Sequence, residues 1–404
     1  MRDLVLLVLP DWVNSQPTMY FPLAVTYLAA MARDAGYDVE ILDWRQGVKV
    51  LPEAKFYGFS CVTPQINVAK EIAHTLKGLT IIGGAHPSLL PQDCRNNFDY
   101  IVRGEGEYVL LDILSGKQAP GIIMANRLRD LNMIPYPAWD MVARPFSDTL
   151  FPGERYGKGE LAATLIASRG CPYNCSFCGN PHTIPVVFRS VKNIIGELME
   201  LIKRNVRYFR FEDDCFTIHP QFEQLCEGMA GLNIHYKCHT RSDLMTSEKA
   251  NLMHYSGCEE CGLGVESADD DVLAVNNKRE TVEDHRRAIA ILKAARIRVK
   301  TYFIMGLPGE TDKTLALNKA FAEQTRLDKW TVSTFSPYPG SPVFRSPGKF
   351  GIEIIDKDFS HWWNFSNAYN HVIYGQTREQ MWARYVEFYR WLKEDYGKPQ
   401  VQEG

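Results

Sequence analysis

Ser168-Arg169-Gly170-Cys171-Pro172-Tyr173-Asn174-Cys175-Ser176-Phe177-Cys178-Gly179-Asn180 places three cysteines within eight residues. The spacing is C-x3-C-x2-C, and an apolar run at residues 164–167 leads into it. Pro, Asn, Ser and Gly between and around the thiols read as a loop and not as a buried strand. Thiolates hold iron–sulfur clusters, usually four at a time. Three local thiolates leave one iron for a distant cysteine or an exogenous ligand. Gly170 and Gly179 permit a tight turn whose amides can face the sulfides. The bland alternative is three buried free thiols, since free cysteine packs as a small hydrophobe. Structural zinc is another, but its sites generally pair CxxC with a second CxxC or a His pair. Cys258 and Cys261 form a further CxxC, but Cys261 opens an apolar run, which places that pair in the core.

Downstream of the loop, helical stretches (191–203, 220–229, 247–255, 282–295, 312–324) alternate with strand-like ones (208–211, 234–238, 262–265, 299–304, 331–335). With strand 164–167 they make about six βα units over residues 161–345. That predicts a partial (β/α)6 barrel with its chemistry at the strand carboxyl ends. Upstream, residues 1–125 carry strands at 4–8, 39–42, 57–62, 80–82 and 100–102 and helices at 22–35, 68–76 and 108–114. This is the pattern of an α/β, Rossmann-like, doubly wound parallel sheet, whose ligand rim would be residues 11–20, 60–67, 83–87 and 104–107. Residues 126–160 hold Pro135, Pro137, Pro145 and Pro152 without periodicity and read as a linker. Residues 346–404 are rich in aromatics, with a helix expected at 379–392. That segment is expected to close the barrel mouth or to pack on the first domain.

The chain has 404 residues, enough for two or three domains. Its net charge of −3 shows no basic excess, so a nucleic-acid partner is not expected. The apolar start at residues 4–9 is short, follows Asp3 and lacks a small-residue cleavage site, so it reads as a first strand. No stretch approaches the roughly 18 apolar residues of a membrane span. A cytoplasmic enzyme without membrane partners is the expectation. The ten cysteines do not suggest a secreted disulfide framework.

The cysteine loop, with an aromatic before its last Cys, closely resembles the signature of the radical SAM superfamily. The resemblance implies a [4Fe–4S] cluster on Cys171, Cys175 and Cys178. It implies S-adenosylmethionine (SAM) on the open iron, beside Phe177, and reductive cleavage to a 5′-deoxyadenosyl radical. Further motifs agree. Glu212 in Phe211-Glu212-Asp213-Asp214 resembles the acidic residue that meets the SAM amino group, with Asp213 and Asp214 facing substrate. Arg241 in Thr240-Arg241-Ser242 resembles the family's arginine for the SAM carboxylate, a good match for a guanidinium fork. Glu266 in Gly264-Val265-Glu266-Ser267 resembles the acid that approaches ribose or amino group. Met305-Gly306-Leu307-Pro308-Gly309-Glu310-Thr311 looks like the family's turn beside adenine. Each also has a structural reading: a helix cap, a surface ion pair or a turn.

Residues 1–125 are similar to the cobalamin-binding domain fused to class B radical SAM enzymes, through Gly83-Gly84-Ala85-His86-Pro87 and Arg103-Gly104-Glu105-Gly106-Glu107. No GxGxxG follows the first strand, which disfavours a dinucleotide. The DxHxxG motif, whose His ligates cobalt in many cobalamin proteins, is absent, and Ser60-Cys61-Val62-Thr63-Pro64-Gln65 stands in its place. The resemblance implies cobalamin near Ser60, Thr63, Gln65, Gly83, Gly84, Gly104 and Glu105, with Gln65 or another loop residue below cobalt. His86 is expected to position its loop. The implied function is a cobalamin-dependent methyltransferase, moving methyl through methylcobalamin to a carbon radical on a small-molecule or peptide substrate. Flavodoxin or ferredoxin would supply electrons. The alternatives are a radical SAM cyclisation, rearrangement or oxidation, with or without cobalamin. A methylthiotransferase would need a further N-terminal cysteine cluster, which Cys61 and Cys94 do not make. A non-enzymatic iron–sulfur sensor would not need the SAM motifs.

Overall fold

The computed structural model describes residues 1–10, 12–13, 16–17, 21–46, 50–142, 161–179, 185–364 and 368–396. The expected rim at residues 11–20 lies largely outside them, as do Asn180 and residues 143–160. The chain divides into two compact units, residues 1–147 with 358–362 and residues 148–357 with 363–404.

The first unit is built on six parallel strands: β1 (Arg2–Val8), β2 (Val39–Asp43), β3 (Ala54–Ser60), β4 (Leu79–Gly83), β5 (Tyr100–Arg103) and β6 (Gly121–Met124). Their order is β2-β1-β3-β4-β5-β6. The central strand β1 is an unbroken apolar run because both its faces are covered. Leu4 and Leu6 face helices α1 (Leu23–Asp34) and α3 (Glu107–Leu114), while Val5 and Leu7 face α2 (Ile66–Ala73). The order reverses between β1 and β3. That crevice, at the carboxyl ends, is where such sheets take ligands.

Residues 126–142 differ from the linker expectation. Leu131, Ala138 and Trp139 are buried, the Ala138 N–H donates to the Thr26 carbonyl (3.0 Å), and Trp139 stacks on Phe21 at 4.1 Å. The prolines suppress periodicity without preventing burial. Residues 358–362 also pack on this unit, with Phe359 against His86 at 5.1 Å.

The second unit curls six parallel strands in chain order: β7 (Leu161–Leu165), β8 (Val206–Phe211), β9 (His235–Thr240), β10 (Cys258–Glu266), β11 (Arg298–Met305) and β12 (Lys329–Thr334). Helices α4 (Val191–Lys203), α5 (Phe222–Ala230), α6 (Ser247–Tyr255), α7 (Val282–Ala294) and α8 (Asp312–Thr325) connect them. Ser190 and a Thr281–Asp284 capping box start α4 and α7. The last α-helix is α9 (Arg378–Arg390), continued by a π-helical turn over Trp391–Asp395.

Strand alternation separates a helix-facing layer from a polar inner face. On β9, Tyr236 and Cys238 pack outward, while Lys237 turns inward to Glu260 of β10 (3.5 Å). β10 runs four residues earlier than the apolar pattern suggests, because buried Glu260 pairs with Lys237 and Lys329 and half-exposed Glu259 pairs with Arg298. Cys258 and Cys261 are buried in the outer layer. Among the described residues no helix is long and apolar enough to cross a membrane.

Candidate functional site

The cysteine loop begins where β7 ends. Asp213, at the carboxyl end of β8, is buried and accepts from the Ala167 N–H (2.9 Å) and the Ser168 hydroxyl (2.5 Å). Burial pushes its carboxyl up to about 6, against these donors. Asp213 therefore anchors the loop, where the sequence pattern had it facing substrate. Gly170 has φ +102°, a left-handed turn that glycine adopts without cost. Beyond it, the Ser176 N–H donates to the Asn276 carbonyl (2.8 Å), and the Asn277 amide donates to Asn174 (2.9 Å). Cys175 is buried, while Cys171 and Cys178 are half-buried, as is Phe177. Burial pushes the Cys171 thiol up to about 11 and raises that of Cys175.

Behind the loop lies a buried charge network. Glu266 ends β10 in the left-handed region, φ +61°, at a break in register with β11. A non-glycine residue is held there only by its surroundings. Its carboxylate stands 3.4 Å from Lys278, which stands 3.1 Å from Glu280. Burial raises the pKa of Glu266, although Lys278 opposes it. For Lys278, burial favours the neutral amine, but Glu266 and Glu280 outweigh it and raise the pKa. Glu280 accepts from the Ser242 N–H (2.6 Å) and stands 3.4 Å from Arg241. Arg241 is 6% exposed. It donates to Asp243 (3.0 and 3.1 Å) and to the Lys278 carbonyl (3.0 Å), approaches the Cys175 sulfur at 4.0 Å, and lies 3.8 Å over the Tyr173 ring. The fork expected on a ligand carboxylate is thus engaged within the protein.

Glu212 is exposed and pairs with Arg210 at 2.5 Å. Further along the inner face, His239 and Tyr302 meet at 5.5 Å across Gly262. A Cβ on Gly262 would fall 2.5 Å from the His239 ring, so the glycine makes room for this pair.

The turn at residues 305–311 is braced by residues from the C-terminal segment. Glu310 is buried, accepts from the Gly306 N–H (2.6 Å) and pairs with Arg384 (3.2 Å). Burial pushes its carboxyl up to about 7. His371 bonds the Gly306 carbonyl (2.9 Å), and burial pushes its pKa down to about 4. Tyr369 covers Gly306, φ +89°.

At the rim of the first unit, several residues expected at a ligand serve the loops instead. Gly84, φ +100°, would put a Cβ 2.7 Å from the Cys61 backbone, so that glycine permits loop packing. Gln65 is buried, and its side-chain oxygen accepts from the Val62 N–H (3.0 Å). Thr63 is buried and bonds His86 (3.3 Å). Glu105 accepts from the Leu128 N–H (2.6 Å) and pairs with Arg127. His86 is fully buried between Thr63 and Asp93 (3.0 Å), the loop-positioning role expected for it. Ser60, Gly83 and Gly104 remain partly or fully open, with nothing nearer than 3.8 Å to a Cβ on Gly83.

A C-x3-C-x2-C loop on the carboxyl end of a barrel's first strand, in a chain that also carries a β2-β1-β3 switch-point sheet, narrows the choice of family. Residues 165–318 match the model of the Radical SAM superfamily, and residues 13–114 match the B12 binding domain. The anaerobic magnesium-protoporphyrin IX monomethyl ester cyclase of Rubrivivax gelatinosus is 30% identical over 380 residues, covering 83% of this chain and 67% of that protein. This chain belongs to the radical SAM superfamily, in its class with a B12-binding domain. The bacteriochlorophyllide d C-12(1)-methyltransferase of Chlorobaculum tepidum is 28% identical over 342 residues, covering 80% of this chain and 73% of that one. The fold is shared with the radical SAM methyltransferase TsrM of Kitasatospora setae, solved with cobalamin and a [4Fe–4S] cluster. Its TM-score is 0.65 at 17% identity, over 85% of this chain and 77% of that one.

The donor set suits a radical SAM cluster. Three cysteines sit on one loop, and among the described residues no three His, Cys, Asp or Glu side chains could hold a single ion. A cluster takes each thiolate on a different iron, so its ligands do not converge as a zinc's do. The B12-domain rim suits a corrinoid held by backbone and small side chains. Its nearby imidazole, His86, is committed inside the loops. Asn276, Asn277, Lys278 and Glu280 were not singled out by the sequence. The signal was a polar hexapeptide, Asn276 to Thr281, directly before the capping box of α7.

Proposed function

We propose that this chain is a cobalamin-dependent radical SAM enzyme that methylates carbon in a small-molecule substrate. The observation that carries the reading is one chain holding both the three-cysteine loop on a barrel strand and a B12-type sheet. The methyltransferase relative adds support. When bound, the cluster and SAM supply a 5′-deoxyadenosyl radical that takes hydrogen from substrate, and cobalamin supplies the methyl group. In this reading Cys171, Cys175 and Cys178 hold the cluster. Glu212, Glu266 and Phe177 border SAM, and the braced turn at Gly306 lies against its adenine. Lys278 opposes the effect of burial on Glu266 and holds it in place. Ser60, Gly83 and Gly104 approach the corrinoid. His239 and Tyr302, paired on the inner face, orient substrate by hydrogen bonds. Electrons come from a flavodoxin or ferredoxin, and the enzyme works in the cytoplasm.

Product analysis tests this. With hydroxocobalamin, SAM and a strong reductant, methyl transfer releases S-adenosylhomocysteine alongside 5′-deoxyadenosine. The cyclase relative favours a second reading, a cyclisation, which releases 5′-deoxyadenosine alone. Absence of S-adenosylhomocysteine from corrinoid-loaded protein would contradict methylation. Absence of corrinoid absorption after desalting would contradict the cobalamin assignment.

A further inference from the structure

We propose that Arg241 is a positioning residue for the cluster: held by Asp243 and Glu280, its guanidinium donates to the Cys175 sulfur and lies over Tyr173, and thereby sets the cluster's reduction potential. This rests on the cluster assignment made above. It departs from the expectation that Arg241 grips the SAM carboxylate.

A guanidinium has five N–H donors in a rigid fork. In Arg241, Nε and Nη2 are occupied by the two Asp243 oxygens and the Lys278 carbonyl. The fork edge that would clasp a carboxylate is therefore spent on Asp243. Nη1 remains, and it faces Cys175 Sγ at 4.0 Å and Glu280 Oε2 at 3.4 Å. The guanidinium carbon lies 3.8 Å over the centre of the Tyr173 ring, so the cation also grips the loop between the first two cysteines. Arg241 and Cys175 are both buried, which limits solvent screening of the interaction.

Iron–sulfur potentials depend on net charge, on hydrogen bonds to sulfur and on solvent exposure. A reduced cluster carries one more negative charge than its oxidised form. A cation donating to a ligand sulfur stabilises the reduced form more, and so raises the potential. Asp243 is the partner that aims the fork, and its side chain is 28% exposed. Its charge is thus better screened than that of the arginine it holds.

The test is an EPR-monitored redox titration of the reconstituted cluster without SAM, on the wild type and on Arg241→Met, Arg241→Lys and Asp243→Asn. Arg241→Met should shift the reduction equilibrium toward the oxidised form roughly tenfold, a fall of about 59 mV for a one-electron couple. Arg241→Lys and Asp243→Asn should give smaller falls, because the charge stays but its aim is lost. SAM affinity, read from the change SAM causes in the reduced-cluster signal, should stay within about threefold of wild type. Unchanged potentials with a large loss of SAM affinity would overturn the proposal and restore the carboxylate role. If Arg241→Met fails to retain iron, the lysine and Asp243 variants decide by the same criterion. A wild-type protein that takes up no cluster would overturn the cluster assignment, and this inference with it.

Discussion

In the barrel unit the cysteine loop is held from far away. Asn277 reaches Asn174 across 103 residues, and Asp213 reaches Ser168 across 45. At the rim of the B12-type sheet the holds are closer in sequence: His86 to Thr63 across 23 residues, Glu105 to Leu128 across 23, Gln65 to Val62 across three. Both places carry glycines and charged residues that read as ligand contacts. In the barrel, a chain of buried charges runs from Glu266 through Lys278 and Glu280 to Arg241 beside Cys175. At the rim, Gln65 and Glu105 satisfy the rim's own backbone, and Thr63 and His86 bond each other. Cutting one distant anchor in the barrel should therefore disturb the whole cluster site. A cut at the rim should cost local stability and leave the barrel chemistry intact.

The largest effect belongs to Cys178→Ala. It removes one of three thiolates, and the cluster content measured by iron and sulfide should fall to near zero, with the B12-type unit still binding hydroxocobalamin. Persistence of a full cluster would break the comparison at its base. Next is Lys278→Met, which leaves Glu266 buried without its cation and Glu280 with Arg241 alone. Breaking a buried pair this way costs about 3–5 kcal/mol. A two-step denaturation should show that loss in the barrel transition only.

Acid should act on both units through neutral imidazoles. Burial depresses His371 to about 4 and lowers His86 as well. A group whose folded pKa is depressed lends stability above its unfolded value of about 6.5, and that stability is lost as pH falls through the folded pKa. For His371 the swing between pH 7 and pH 4 should approach roughly 3 kcal/mol. Urea midpoints across that range should fall for wild type and flatten for His371→Gln.

Glycines sharpen the contrast further. Gly84→Ala forces a side chain into the left-handed region and against Cys61, which should cost about 1–3 kcal/mol. Gly83→Ala meets nothing nearer than 3.8 Å and should cost under about 0.5 kcal/mol, yet weaken corrinoid binding. If the two variants behaved alike in thermal melts, the distinction between packing glycine and ligand glycine would fail.

Much of this was legible in the sequence because it is local. Strand–helix alternation gave both sheets, and C-x3-C-x2-C gave the cluster loop, since each signal sits within a few neighbouring residues. Strand β6 and the packed stretch 126–142 escaped because prolines and short length hide burial. The early start of β10 escaped because Glu259 and Glu260 look like surface residues until Lys237, Lys329 and Arg298 arrive from other strands. Lys278 and Glu280 escaped for the same reason, their meaning depending on partners elsewhere in the fold. Arg241 was placed at the right strand end, but its partners are protein atoms. Motifs located the site; the division of labour inside it came from long-range contacts.

The most direct test is an anaerobic assay of reconstituted protein with SAM and dithionite, reading 5′-deoxyadenosine by chromatography. A loaded wild-type cluster should release it, and Cys178→Ala should release none. A fully loaded cluster that binds SAM and yields no 5′-deoxyadenosine would contradict the account.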